Sequence, residues 1–175
     1  MKTENLERFL NSFGKYIVQQ SRTNLTKGSK KYGSHNVTGK LYNSIKFKVT
    51  TDANGFTVSF FMSKYGTFLD KGVRGTNSNY IENKDTNYSY KSKQPPAGII
   101  EKWIKKRGIR ARDEKGRFAP MTQKSLAFVI ARSIKMKGIK STSFFRRPMQ
   151  LGLKKFAPDL LKAIKEDVLK ELNKE

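Results

Sequence analysis

The sequence predicts an α+β fold, a small antiparallel sheet flanked by helices, on three observations. Apolar and polar residues alternate along Ile45, Phe47, Val49 and again along Phe56, Val58, Phe60, on either side of the turn-forming Asp52-Ala53-Asn54-Gly55. Elsewhere apolar residues recur at three- and four-residue spacing, the repeat of one helical face. Hydrophobic residues make up 36% of the 175-residue chain, with 12 Phe and 7 Tyr, which suffices for a modest core and argues against wholesale disorder. A chain of this length forms one domain, here 1–175, with a basic helical insertion at about 94–138.

The elements follow in order. Leu6, Phe9, Leu10, Phe13 and Ile17 mark an N-terminal helix, with Thr3 placed to cap it and Gly28 to end it. A polar loop carrying His35 leads to Thr38-Gly39, where Thr38 caps a short helical turn and Leu41 and Ile45 dock inward. The β-hairpin occupies residues around 45–61. Ser63 then caps a short helix or turn with Phe68 and Leu69 facing inward, and 76–91 is a long loop with a short strand near Tyr88–Tyr90. Pro95-Pro96 opens the first inserted helix, whose apolar face is Ile99, Ile100, Trp103 and Ile104 and whose end is Gly108. Thr122 caps the second, with Leu126, Ala127, Val129, Ile130 and Ile134 on its inner side and Gly138 as its stop. Pro148 interrupts the chain, and Pro158 starts a long C-terminal helix through Leu160, Leu161, Ile164, Val168, Leu169 and Leu172.

Charge narrows the partners. The chain carries 37 Lys and Arg against 14 acids, a net charge of +23, and 19 of those bases lie between Lys91 and Lys155 beside only 3 acids. Such density repels itself unless an anion sits nearby. Nucleic acid is the commonest such anion, because binding releases the counterions condensed on its phosphates. A membrane surface or an acidic protein would serve the same electrostatics, and a merely solubilising surface is the bland alternative.

The chemistry of catalysis is missing. The absence of cysteine removes disulfides, thiol nucleophiles and Cys-ligated zinc together. His35, the only histidine, sits in a loop rich in Lys and Gly, unlike the buried, oriented base of a catalytic triad. Asp113-Glu114 lies among arginines that pair with it, and Glu166-Asp167 falls on the exposed face of the last helix, so neither pair supplies the convergent carboxylates of a metal-dependent nuclease. Gly72-Val73-Arg74-Gly75 follows a helix-like segment, whereas a phosphate-cradling loop follows a strand. We expect no enzyme, no cofactor and no metal. The N-terminal MKTENLERFL lacks the apolar stretch of a signal peptide, and nowhere do 18 apolar residues run together, so the reading is a soluble chain made in the cytoplasm without membrane contact.

Three pieces in order carry a resemblance: Thr38-Gly39-x-Leu41-x-x-Ser44-Ile45 before the hairpin, Tyr65-Gly66-Thr67-Phe68-Leu69-Asp70-Lys71-Gly72 after it, and Gly138-Ile139-Lys140 with Phe144-Phe145-Arg146-Arg147-Pro148 before the last helix. Together they resemble the tail-completion (head–tail joining, minor tail component) proteins of tailed bacteriophages. The stretches Pro95-Pro96 to Ile109 and Leu126 to Ile134 resemble the long-form members. The likeness spans about Leu6 to Leu172. It implies a small sheet flanked by helices and a non-catalytic virion protein. Copies would form a homo-oligomeric ring, hexameric or dodecameric, at the neck between the portal-adaptor assembly and the tail. Double-stranded genome DNA would pass through its channel, and the site of synthesis would be the bacterial host cytoplasm.

The residues have readings of their own beside it. Thr38, Gly39, Leu41, Ser44, Ile45, Gly66, Phe68, Leu69, Gly72, Phe144 and Phe145 are the motif positions and the candidate subunit interface. Singly, each also reads as ordinary cap, turn or core chemistry: Gly66 and Gly72 either admit a neighbouring backbone or end helices, and Phe144 and Phe145 either anchor the final helix or face a partner. Trp103 either packs in the core or stacks on a base among its lysines. The loop cations Arg107, Arg110, Arg112, Lys115 and Arg117 are the candidates for contacting DNA phosphates, or an acidic neighbouring ring, without reading sequence. Charge alone equally suggests a free nucleic-acid-binding protein, nucleoid- or ribosome-associated.

Overall fold

The computed structural model describes residues 4–28, 34–52, 55–77 and 86–173. The backbone falls into two compact units: Met1–Gly66 with Ser143–Glu175, and, inserted between them in sequence, Thr67–Thr142. The basic stretch 94–138 belongs wholly to the second unit. The architecture is α+β, as the sequence predicts.

In the first unit α1 (Glu4–Lys27) buries Phe13, Ile17, Val18 and Leu25 along one face. Gly28, in the left-handed region, ends it. Against it runs α6 (Arg146–Leu172), antiparallel, since Phe144 meets Asn24 near one end and Asp167 meets Asn5 and Leu6 at the other. The crossing is close at Gly152, where a Cβ would stand 2.6 Å from Ile17 Cδ1 and 3.3 Å from Phe13. One turn on, the Phe156 ring meets Phe9, Phe13 and Tyr16 with centroids 6.0, 5.7 and 5.0 Å away.

The hairpin of β1 (Lys46–Asp52) and β2 (Gly55–Phe61) pairs from Lys46↔Phe61 to Asp52↔Gly55. Residues Ala53 and Asn54 of the expected turn lie outside the described residues. Phe47 turns its ring onto Gly14 of α1, a contact that leaves no room for a side chain there. Phe60 joins Phe13, Phe47 and Phe145 into one aromatic cluster. The short α2 (Lys40–Ser44) lays buried Leu41 and Ile45 on this core. Its entry differs from the expected Thr38 cap. Gly39 precedes the helix with φ 72°, and the turn is held by Asn36 Oδ1, which accepts the Gly39 N–H at 3.0 Å; Thr38 Oγ1 receives only a long 3.4 Å bond from Lys40 N–H.

Chain order continues through α3 (Tyr65–Lys71) into the second unit. There β3 (Val73–Arg74) pairs antiparallel with β4 (Gly138–Ile139), and the approach is so close that a Cβ at Gly75 or Gly138 would strike the opposing backbone. The strand expected near Tyr88–Tyr90 is a single parallel bridge, Ser89 to Arg74, held by two 2.8 Å backbone bonds. Helices α4 (Ala97–Arg107) and α5 (Gln123–Lys137) pack through Ile104, Ala127 and Ala131, all fully buried. Thr122 caps α5 as read, accepting the Ser125 N–H at 3.2 Å, and Gly108 ends α4 in the left-handed conformation. No helix among the described residues is long and apolar enough to cross a membrane.

Further expectations are corrected. Pro158 does not start the last helix, and Pro148 does not interrupt the chain, because α6 is continuous from Arg146. Pro148 is its third residue, where a missing N–H costs nothing, since the first four are unpaired in any helix. Pro158 forfeits an internal bond, roughly 3 kcal/mol in a free helix, but Gly152 and Phe156 on one side and Ala163 and Asp167 on the other keep both halves on α1. Asp167 is not on an exposed face: it is 1% exposed and accepts the N–H groups of Asn5 at 3.2 Å and Leu6 at 2.9 Å. It supplies acceptors for α1's first turn; Thr3, the expected cap, lies outside the described residues. Ile99, Trp103 and Val129 are exposed rather than inward, because burial between α4 and α5 is confined to a narrow stripe of Ile104, Ala127 and Ala131; Phe68, also expected inward, is 40% exposed with its ring against Tyr88. Leu161, Ile164, Val168, Leu169 and Leu172 are exposed as well, while Ala163 and Asp167 take the inner positions.

Gly152→Val should destabilise the protein by about 1–3 kcal/mol in chemical denaturation, since buried Ile17 has nowhere to move. Burial alone would raise the Asp167 carboxyl, but the N–H groups of Leu6 and Asn5, with nearby Lys170, outweigh it and hold the group below the usual carboxylate value. Its stabilising contribution is therefore complete above the unfolded value of about 3.9 and is lost as pH falls through the lower folded value. Thermal melts should show Asp167→Asn below wild type at neutral pH, with the gap closing in acid.

Candidate nucleic-acid interface

The basic segment between α4 and α5 is an ordered hairpin. Asp113 at the first position of a turn and Gly116 at the fourth, with φ 79°, is the pairing such turns prefer. The Gly116 N–H bonds the Asp113 carbonyl at 2.9 Å, the Asp113 N–H the Arg117 carbonyl at 2.8 Å, and the Ala119 N–H the Ala111 carbonyl at 3.1 Å. Arg112 and Phe118 form the bridge between the two arms.

This frame positions the predicted cations. Arg112 donates Nη1–H to the Gly116 carbonyl at 2.7 Å and lies over the Phe118 ring at 4.7 Å. Arg110 covers the same ring at 5.5 Å. Arg117 is held by Asp113, which accepts its backbone N–H at 2.8 Å and its Nε–H at 3.1 Å. Lys115 stands exposed at the tip, and Arg107 is exposed in the last turn of α4, where a cation favours the helix dipole. The five predicted residues thus fall on one hairpin and the helix end leading into it. Of the local acids, Asp113 is taken up by Arg117.

A guanidinium stacked on an aromatic face keeps its N–H edge pointing outward, so Arg110, and Arg112 through the donors its bond to Gly116 leaves over, present N–H groups suited to phosphate oxygens. Nothing here resembles a helix aimed at base edges. Phe118, 61% exposed, was not among the expected site residues. The signal was present: an aromatic placed beyond an Asp-x-x-Gly turn, opposite arginines.

The motif positions are distributed between the units. Leu41, Ile45, Gly66 and Phe144 are buried within the first, and Gly72 within the second. A Cβ at Gly66 would press on Leu41 and Met62 at 2.8 Å, and Gly72 follows α3 with φ 76°, a helix-ending conformation. Ser44 Oγ accepts the Ser63 N–H at 3.0 Å. Phe145 stacks edge-on with Phe60; Phe68 stacks on Tyr88 at 4.5 Å, and Leu69 accepts two bonds from Thr142 on its carbonyl. Thr38 and Gly39 shape the turn before α2. Most of these positions take part in the chain's own packing, with Phe68 left 40% exposed, and a further apolar surface lies elsewhere.

Such surface lies along α6. Leu153, Ala157, Leu161, Ile164, Val168 and Leu172 follow spacings of four, four, three, four and four, one continuous helical stripe, and every member is exposed, Leu161 at 69%. Among the described residues no three His, Cys, Asp or Glu side chains are grouped to hold a metal. The sequence matches no protein-family model, and comparison with curated proteins and with solved structures gives no significant match.

Phe118→Ala should release both stacked guanidiniums, about 0.5–1 kcal/mol each. Amide exchange at Asp113 and Ala119 should then quicken by about five- to thirtyfold, with the global melt unchanged.

Proposed function

We propose that the chain is a non-catalytic ring subunit at the neck of a tailed-phage virion, joining the portal-adaptor assembly to the tail around the DNA channel. The observation that carries this reading is the uncovered apolar stripe of α6, on a chain whose core is already built from another face of the same helix. Exposed apolar patches of this kind on highly charged proteins mark association surfaces. Supporting it are the order of the three motif segments and the preorganised basic hairpin, which would hold DNA by its phosphates alone and so let it slide.

A second reading, a monomer that binds free nucleic acid, draws on the same hairpin, where exposed Phe118 between two arginines could stack on an unpaired base. It leaves the α6 stripe without a role.

Negative-stain imaging of the protein added to portal complexes or tail-less heads separates the two. Closed rings are expected for wild type and not for the doubly substituted Leu161→Asp, Val168→Asp, which should remain a folded monomer. Single subunits that only bind duplex would overturn the ring. Arg110→Glu with Lys115→Glu should leave the fold intact and flatten the salt dependence of DNA binding, by about 1 in the log–log slope for each phosphate no longer neutralised.

A further inference from the structure

On the first unit, away from the α6 stripe in sequence and use, an open groove of about 810 Å³ runs between α1 and the segment that joins α2 to β1. One wall is a single face of α1 from Lys15 to Lys27; the other is Tyr42, Ile45, Lys46 and Phe47. Four of its lining residues are cations, Lys15, Arg22, Lys27 and Lys46, and none is an acid.

Arg22 sets the character of the groove. Its Nε–H donates to the Tyr42 carbonyl at 3.1 Å, its Nη2–H to the Ile45 carbonyl at 3.0 Å, and its guanidinium lies 5.0 Å over the Tyr42 ring. A guanidinium has five N–H donors, so a fork remains, held in one orientation and matched to a planar carboxylate. Beneath it half-buried Phe47, with the edge of Val18, gives an apolar floor, while Ile45 behind them is fully buried. The face from Lys15 to Lys27 is about 18 Å long at the rise of an α-helix, the span of about five extended residues.

We infer that this groove binds a short extended peptide of a partner protein in which acidic residues alternate with apolar ones. Carboxylates meet Arg22 and its flanking lysines, and the intervening side chains rest on the apolar floor. The fork suits carboxylate and phosphate alike; the apolar surface beside it, which a sugar–phosphate backbone would leave unused, favours such a peptide. This site is independent of the ring and of the hairpin, and either could fail without it.

The test uses the full chain and three fluorescent probes: an acetylated hexapeptide alternating Asp with Leu, its Asn counterpart, and a hexathymidylate strand. The acidic peptide should bind saturably, at least about tenfold tighter than the Asn peptide. Lys15→Glu with Lys27→Glu, both exposed positions, should weaken it by about tenfold or more, whereas Lys162→Glu with Lys165→Glu on α6, the same change in net charge, should alter it by less than about twofold. Circular dichroism confirms that both variants fold. Equal losses in the two variants would reduce the effect to net charge and overturn the proposal. So would absence of saturable binding, or a hexathymidylate that binds tighter than the peptide and is lost with the groove lysines.

Discussion

Where α6 crosses α1, Gly152 lets the two helices meet on Ile17 and Phe13, and everything else in the first unit is arranged around that crossing. Once the helices are that close, Phe156 can reach three aromatic rings of α1, and Asp167 arrives opposite the first turn of α1 with its carboxylate pointing at two otherwise unpaired N–H groups. The hairpin docks on the next part of the same helix, with Phe47 on Gly14 and Phe60 beside Phe13. A bulky residue at either glycine would separate layers whose side chains depend on contact. The cost of a mid-helix proline is tolerable for the same reason: helix packing, more than internal bonding, holds α6 in place.

With its inner face given to α1, α6 has a second apolar stripe left over. A helix hydrophobic on two sides is either buried on both or waiting for a neighbour. Charge itself is shared: the first unit has 19 Lys and Arg against 8 acids and the second 18 against 6. The second unit concentrates part of its share on a hairpin in which backbone bonds, a carboxylate and an aromatic ring fix the arginines. The first unit places part of its own along a groove with no acid in its lining. The two basic surfaces are differently built, one around a stacked aromatic ring and a turn, the other around a helix face.

The sequence by itself determined the elements whose signals are local. Alternation marked the hairpin around 45–61, and the register from Lys46↔Phe61 follows from it. Thr122, Gly28, Gly108 and Gly138 marked helix ends because caps and left-handed glycines act within a few residues. The cationic loop was equally legible from its composition, as were the helical repeats of α1 and α6.

Tertiary structure alone decided which face of each helix is inside. Leu161, Val168 and Leu172 carry the apolar repeat of the last helix, yet Ala163 and Asp167 hold the inner positions, because only small or capping side chains fit so near α1. Trp103 read as core and stands 39% exposed, because α5 offers α4 two alanines and no pocket for an indole. The pairing of Asp167 with Leu6, 161 residues apart, and the stacking of two arginines on Phe118 also leave no trace in composition. Periodicity tells that a face is apolar; what covers it depends on where the rest of the chain arrives, and that is a property of the folded whole.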